Sequence, residues 1–188
     1  RVIFSLLLAL MLMISISGIV LAEGQNGTTL SDTINMTPHW TRTFQWTIDK
    51  SVTPSVLNMF RGDSGTVGYT VAVAKTGFVD NAWVDGQVCV TNGGAVPTDN
   101  LVITLNLTMP PSQAIIASTI VDLGSNSVIA EGATQCYDYS IPVPNPVASA
   151  TYKVTSDVTI TNHSGHLGEP FGPNEAATGP FLAAPVLI

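Results

Sequence analysis

Charge is what this sequence has least of. Only 10% of its 188 residues are Asp, Glu, Lys or Arg, against about a quarter in an ordinary globular domain. The little charge present is mostly acidic, with six Lys and Arg against 13 Asp and Glu and a formal net charge of −7. Such a chain lacks the cationic footprint that displaces counterions from phosphate, which argues against nucleic acid as a partner. The same deficit argues against electrostatic docking to an anionic membrane. Histidine is also scarce: there are three, and none accompanies a nucleophile motif such as Gly-x-Ser-x-Gly. Phosphate loops and dinucleotide fingerprints are missing. The acids Asp49, Asp63, Asp80, Asp85, Asp122 and Asp138 are scattered through turns and polar strand faces. A nucleophile with its base, a carboxylate pair or a phosphate cradle is what catalysis would need. The expectation is a chain that is not an enzyme, with no cofactor and no metal.

Thr, Ser, Asn and Val fill the space that charge leaves. β-branched residues suit a pleated surface and lose rotamer freedom in a helix, so the composition favours strands. The length suits one domain with a proper core. The clearest stretch is 65–77, where Val67, Tyr69, Val71 and Val73 alternate with Gly68, Thr70, Ala72 and Ala74. One bulky and one small or polar face predict a half-buried strand around which the others are laid. Similar alternation predicts strands from Trp40 through Phe44, Trp46 and Ile48, and from about Ala82 to Thr91. Others are expected at Leu101 to Leu107, Ile115 to Leu123, Gln135 to Val143, and Tyr152 to Ile160. Asn92-Gly93-Gly94 reads as a turn, because Gly and Asn accept positive φ cheaply. About seven short strands, with no convincing helix beyond the N-terminal stretch, predict an all-β fold, a two-sheet antiparallel sandwich.

The domain organisation follows. Residues 2–22 are uncharged, and small or aliphatic residues precede Glu23; the stretch reads as a signal peptide. The alternative is an uncleaved anchor, since about 20 apolar residues span a bilayer. Either exports the remainder. Residues 23–39 read as a flexible polar segment, 40–166 as the sandwich, and 167–188 as a Pro- and Gly-rich linker or the start of a missing C-terminal region. Arg1 in place of Met, and an apolar end at Ile188, read as those of a fragment.

Cys89 and Cys136 are the only cysteines. In an exported chain an even count favours a disulfide. Each falls on the polar parity of its strand, so a bond would join neighbouring strands on an outer face; the alternative is two unpaired thiols. Four sequons place candidate glycans at Asn26, Asn35, Asn106 and Asn162. Chance in an Asn- and Thr-rich chain also accounts for them. Arg61-Gly62-Asp63-Ser64 matches an integrin-read tetrapeptide, but Gly and Asp are also what a turn requires. His163, His166 and Glu169, spaced by three on a broken loop, do not share a helix face and read as solvated side chains. Among Trp40, Trp46 and Trp83, Trp83 shares its parity with polar residues and is the candidate for stacking on a sugar ring.

Together these segments resemble a known group. Residues 69–77, with Gly65 before them and the 101–107 alternation and Pro110 after, resemble the secreted repeat domain called domain of unknown function eleven. Segments 46–51, 88–94 and 161–168 are similar to those of a group of uncharacterised exported proteins. The resemblance covers about 40–173 and implies an immunoglobulin-like antiparallel sandwich preceded by the hydrophobic helix, used as a surface spacer or adhesive module. Related sandwiches cross-link a Lys of the first strand to an Asn of the last, beside a buried acid. Lys50 matches the first place, but Leu105 and Lys153 stand where the acid and amide are expected, which argues against the cross-link; Asn162 keeps an amide in the region. The expected function is a non-catalytic structural or adhesive module, secreted or at the cell surface. Its partners would be cell-envelope components, neighbouring domains or glycans, with membrane contact only through an uncleaved N-terminal segment. The alternatives are a carbohydrate-binding accessory of an exported hydrolase and a subunit of a surface filament.

Overall fold

In a computed structural model, alternating stretches become strands whose apolar sides face each other across two sheets. It describes residues 26–179 and 185–188; the expected signal peptide or anchor at 1–22 lies outside the described residues. The first sheet holds β1 (Leu30–Ile34), β2 (Thr37–Thr53), β3 (Gly68–Asn92), β6 (Thr134–Pro142) and β9 (Val186–Leu187). The second is ordered β5 (Ile115–Ile120), β4 (Val102–Thr108), β7 (Lys153–Thr159), β8 (Asn174–Thr178). The described residues are thus all-β, with nine strands rather than about seven.

β3 organises the first sheet. Its residues 88–92 pair with β1 and 68–85 with β2, while 83–91 also pair with β6. A strand has two edges, so β1 and β2 follow one another along one edge and β6 takes the other. Where β1 passes to β2, the Asn35 carbonyl accepts the Tyr139 hydroxyl at 2.6 Å. A Cβ on Gly86 would fall 2.2 Å from that same carbonyl oxygen, so only glycine fits there.

The core lies where the two inner faces meet. Val84, Val88, Val90, Tyr137, Tyr139 and Ile141 come from the first sheet, and Ile103, Leu105, Leu107, Val154 and Val158 from the second. Burying each aliphatic side chain contributes roughly 1.5–3 kcal/mol. These parities match the alternations read at 101–107, 135–143 and 152–160. Cys89 and Cys136 stand directly opposite in the β3–β6 ladder and form the expected outer-face disulfide.

Four expectations need correction. The stretches at 65–77 and 82–91 are parts of one 25-residue strand, β3. Tyr69, Val71 and Val73, expected to be enclosed, are 77%, 57% and 58% exposed, because the second sheet does not extend over them. The polar segment 23–39 supplies β1, and the supposed linker 167–188 supplies β8 and β9, each held by backbone pairing. Asn92-Gly93-Gly94 needs no positive φ; Asn92 is buried, and a Cβ on Gly94 would fall 2.0 Å from Thr28 Oγ1.

Candidate functional site

Beyond the sandwich, β2 and β3 continue as a two-stranded ribbon. A bulge shapes it: Gln45 pairs with Gly77 but Trp46 with Lys75, leaving Thr76 as the extra residue. An extra residue on one strand flips its later side chains to the other face. In β3 the inward positions are therefore even from Phe78 to Val90 and odd from Tyr69 to Lys75, while β2 keeps one parity throughout. The rows Trp46/Lys75, Ile48/Val73, Lys50/Val71 and Val52/Tyr69 thus share the face on which Trp40 and Val84 are buried. The ribbon prolongs the core-facing side of the first sheet past the end of the second.

At the boundary, Arg42 closes the core. Its guanidinium sits 3.8 Å from the Phe78 ring centroid and holds Asp80 through Nε and Nη2 at 2.6 and 2.7 Å. That bond keeps the Asp80 carboxyl below the usual range. Next along, the Lys75 ammonium lies 3.6 Å from the Phe44 ring centroid. Past this row, no described element covers the ribbon face. The tip loop adds exposed Val56, Leu57, Met59 and Phe60, the last 87% exposed. Arg61-Gly62-Asp63-Ser64 lies in this loop as a turn, with Asp63 Oδ2 accepting the Phe60 N–H at 2.8 Å and Gly62 at φ +101°. An isolated hairpin is marginal in water, and an apolar patch of this kind marks a contact surface.

Trp83 occupies the opposite, outer face of the first sheet. Its ring stacks on His39 with centroids 5.0 Å apart and planes at 12°. Both oxygens of Asp85 are engaged, Oδ1 with His39 Nε2 at 3.0 Å and Oδ2 with the indole N–H at 3.2 Å. A shallow recess beside the ring is lined by Asn81, Ser140 and Pro142. The parity of Trp83 was visible in the sequence. His39 was not, because it arrives from another strand through cross-strand pairing.

The sequons differ in how the structure uses them. Asn26 and Asn35 are exposed, and Asn106 lies half-buried on the outer face of the second sheet with its Oδ1 accepting from Ser118 Oγ at 2.8 Å. Asn162 Nδ2 donates to the Pro97 carbonyl at 2.9 Å, and its Oδ1 accepts the Asp99 N–H at 2.9 Å; a glycan on Nδ2 would compete with the first bond. His166 stacks on Phe171 at 3.5 Å, and among the described residues no group of three or more His, Cys, Asp or Glu is gathered as a metal site. Lys50 stands exposed on the ribbon.

One buried acid joins the sheets. Asp32 of β1 accepts a hydrogen bond from Ser156 of β7, while its other oxygen is buried without a partner. Burial pushes its carboxyl above the ordinary range, opposed by the Ser156 bond and assisted by Glu175 and Asp157. The folded state therefore holds this proton more tightly than the unfolded state. The stability that Asp32 contributes is complete below the ordinary carboxylate range and is lost as pH rises through the raised value. Asp32→Asn should be more stable than the native chain at neutral pH, with the difference vanishing in acid. Urea midpoints of the two proteins across that range are the measurement; a constant difference would refute the assignment.

No protein-family model matches this chain, and no curated protein matches it.

Proposed function

We propose that this chain is a non-catalytic structural or adhesive module of the extracellular space or cell surface, an immunoglobulin-like sandwich whose working surface is the β2–β3 ribbon. The observation that carries the reading is the inner face of the first sheet running on past the edge of the second, apolar and covered by no described element. Apolar area left in water at this scale is stabilising only when a partner removes it. The disulfide suits the compartment, since such bonds persist in oxidising surroundings. The segments that resemble exported repeat modules point the same way.

Carbohydrate binding is a second reading, favoured by the Trp83–His39 stack beside a polar recess. One experiment separates the two. The full chain, a version with residues 47–74 replaced by an Asn-Gly turn, and Trp83→Ala are immobilised and tested for binding to cell-envelope material. The structural reading expects the shortened ribbon to lose binding at least tenfold, while Trp83→Ala keeps it and the sandwich still unfolds cooperatively. The reverse pattern would replace this reading with sugar stacking.

A further inference from the structure

We infer that the ribbon's partner is a second copy of this chain, packed face to face in an antiparallel twofold arrangement. The inference rests on the reading of the ribbon as the working surface and names its occupant. The missing layer is the key observation. Packed sheets lie about 10 Å apart, and the buried layer ends at the row of Trp40 and Ala82, capped by Arg42 and Asp80, with Phe78 already half exposed. Another ribbon laid on this face would continue the layer, and its own face would be covered in return.

Geometry selects the direction. In a parallel twofold packing, the second sheet of each copy would collide with the first sheet of the other, since both would fill the layer about 10 Å away. The antiparallel packing places the two sandwiches at opposite ends, which also separates two acidic bodies. A twofold axis along the hydrogen-bonding direction sets β2 over β2 and β3 over β3. Trp46 then meets Val52 of the second copy, Ile48 meets Lys50, Val71 meets Val73, and Lys75 meets Tyr69. No lysine faces a lysine: each lays its aliphatic stem on an apolar or aromatic neighbour. The tip loop with Leu57, Met59 and Phe60 reaches the Phe44/Phe78 platform of the other copy.

The ribbon runs about 30 Å from Phe44 to Thr53 at roughly 3.3 Å per residue. With its tip loop it offers a patch on the scale of the ~800 Å² per partner that a standard interface buries. Lipid is the poorer occupant. Among the described residues, β2 beyond the short β9 and the distal half of β3 keep open hydrogen-bonding edges, which hydrocarbon does not satisfy. The twofold interface is also closed, so it yields a dimer and not a filament.

The test uses the full chain and two variants, Val71→Lys and Val73→Glu. Both sites lie outside the sandwich core, and circular dichroism with an intact disulfide checks that each variant folds. Light scattering coupled to size exclusion should give a dimer for the native chain at micromolar concentration. Each variant alone should weaken pairing by about a hundredfold or more: Val73→Glu sets a carboxylate between Ile48 of its own ribbon and Val71 of the other copy, with no cation opposite, and Val71→Lys sets a second ammonium directly across from Lys50. An equal mixture should restore the dimer, because the carboxylate introduced in one copy then faces the ammonium introduced in the other. A native monomer overturns the inference, as does a mixture that stays monomeric. Flotation of a monomeric native chain with phosphatidylcholine vesicles overturns it in favour of lipid. A monomer whose shortened-ribbon version still loses envelope binding overturns the pairing alone and leaves the proposed function standing.

Discussion

Replacing Asn92 with alanine is expected to lower stability by about 4 kcal/mol, near the upper end for a single substitution. Its side chain is buried at the end of β3 and meets four neighbours. The amide nitrogen donates to the Val96 and Ile129 carbonyls at 2.8 and 3.0 Å. The amide oxygen accepts from the Thr28 hydroxyl and from the Gly94 N–H, the latter at 3.0 Å. Alanine strands all four, and each buried polar group left alone costs about 1–3 kcal/mol. Aspartate keeps the two acceptor contacts but sets a charge against two carbonyls, so it should be no better. Urea midpoints decide the matter. A loss below about 1 kcal/mol would mean that water reaches the site and replaces the amide.

Breaking the Cys89–Cys136 bond should cost a similar amount. The cysteines are 47 residues apart, and the chain-entropy account gives about 4 kcal/mol for closing a loop of that length. They sit opposite each other in a ladder that is hydrogen-bonded on both sides, so the paired Cys→Ser variant should keep its strands and fold. Denaturation of the native, reduced and double-serine forms measures the effect, with the last two expected to agree. A negligible difference between native and reduced protein would place compensating order in the unfolded chain. Both predictions concern the sandwich alone and leave the ribbon untouched, so neither should change the state of association.

Much of the sandwich was legible because alternation is local. Ile103, Leu105 and Leu107 show their inward parity within seven residues, as do Tyr137, Tyr139 and Ile141. The placement of Cys89 and Cys136 on an outer face followed from the same count. The polar N-terminal segment was harder to read. β1 carries Asp32 inward, where a polar residue normally argues for solvent, and its place depends on Ser156 more than a hundred residues away. The C-terminal strands are short and were masked by Gly and Pro around them.

The ribbon shows where local reading stops. Tyr69, Val71 and Val73 carry the same pattern as a core strand, and the pattern reports correctly that one side is apolar. It says nothing of whether a second sheet extends far enough to cover that side, since cover comes from residues distant in the chain. The bulge at Thr76 is equally silent, because it exists only in the pairing of β3 with β2.

Amino-acid order alone thus determined that this is a strand protein, which side of most strands is apolar, and that its two cysteines point away from the core. Those properties depend on neighbours one and two positions away. Tertiary structure decided that two apparent strands are one, that a buried amide and a buried acid fasten the ends, and that no described element covers one apolar face. Each of these is set by register and by the unequal reach of two sheets, which only the folded chain defines.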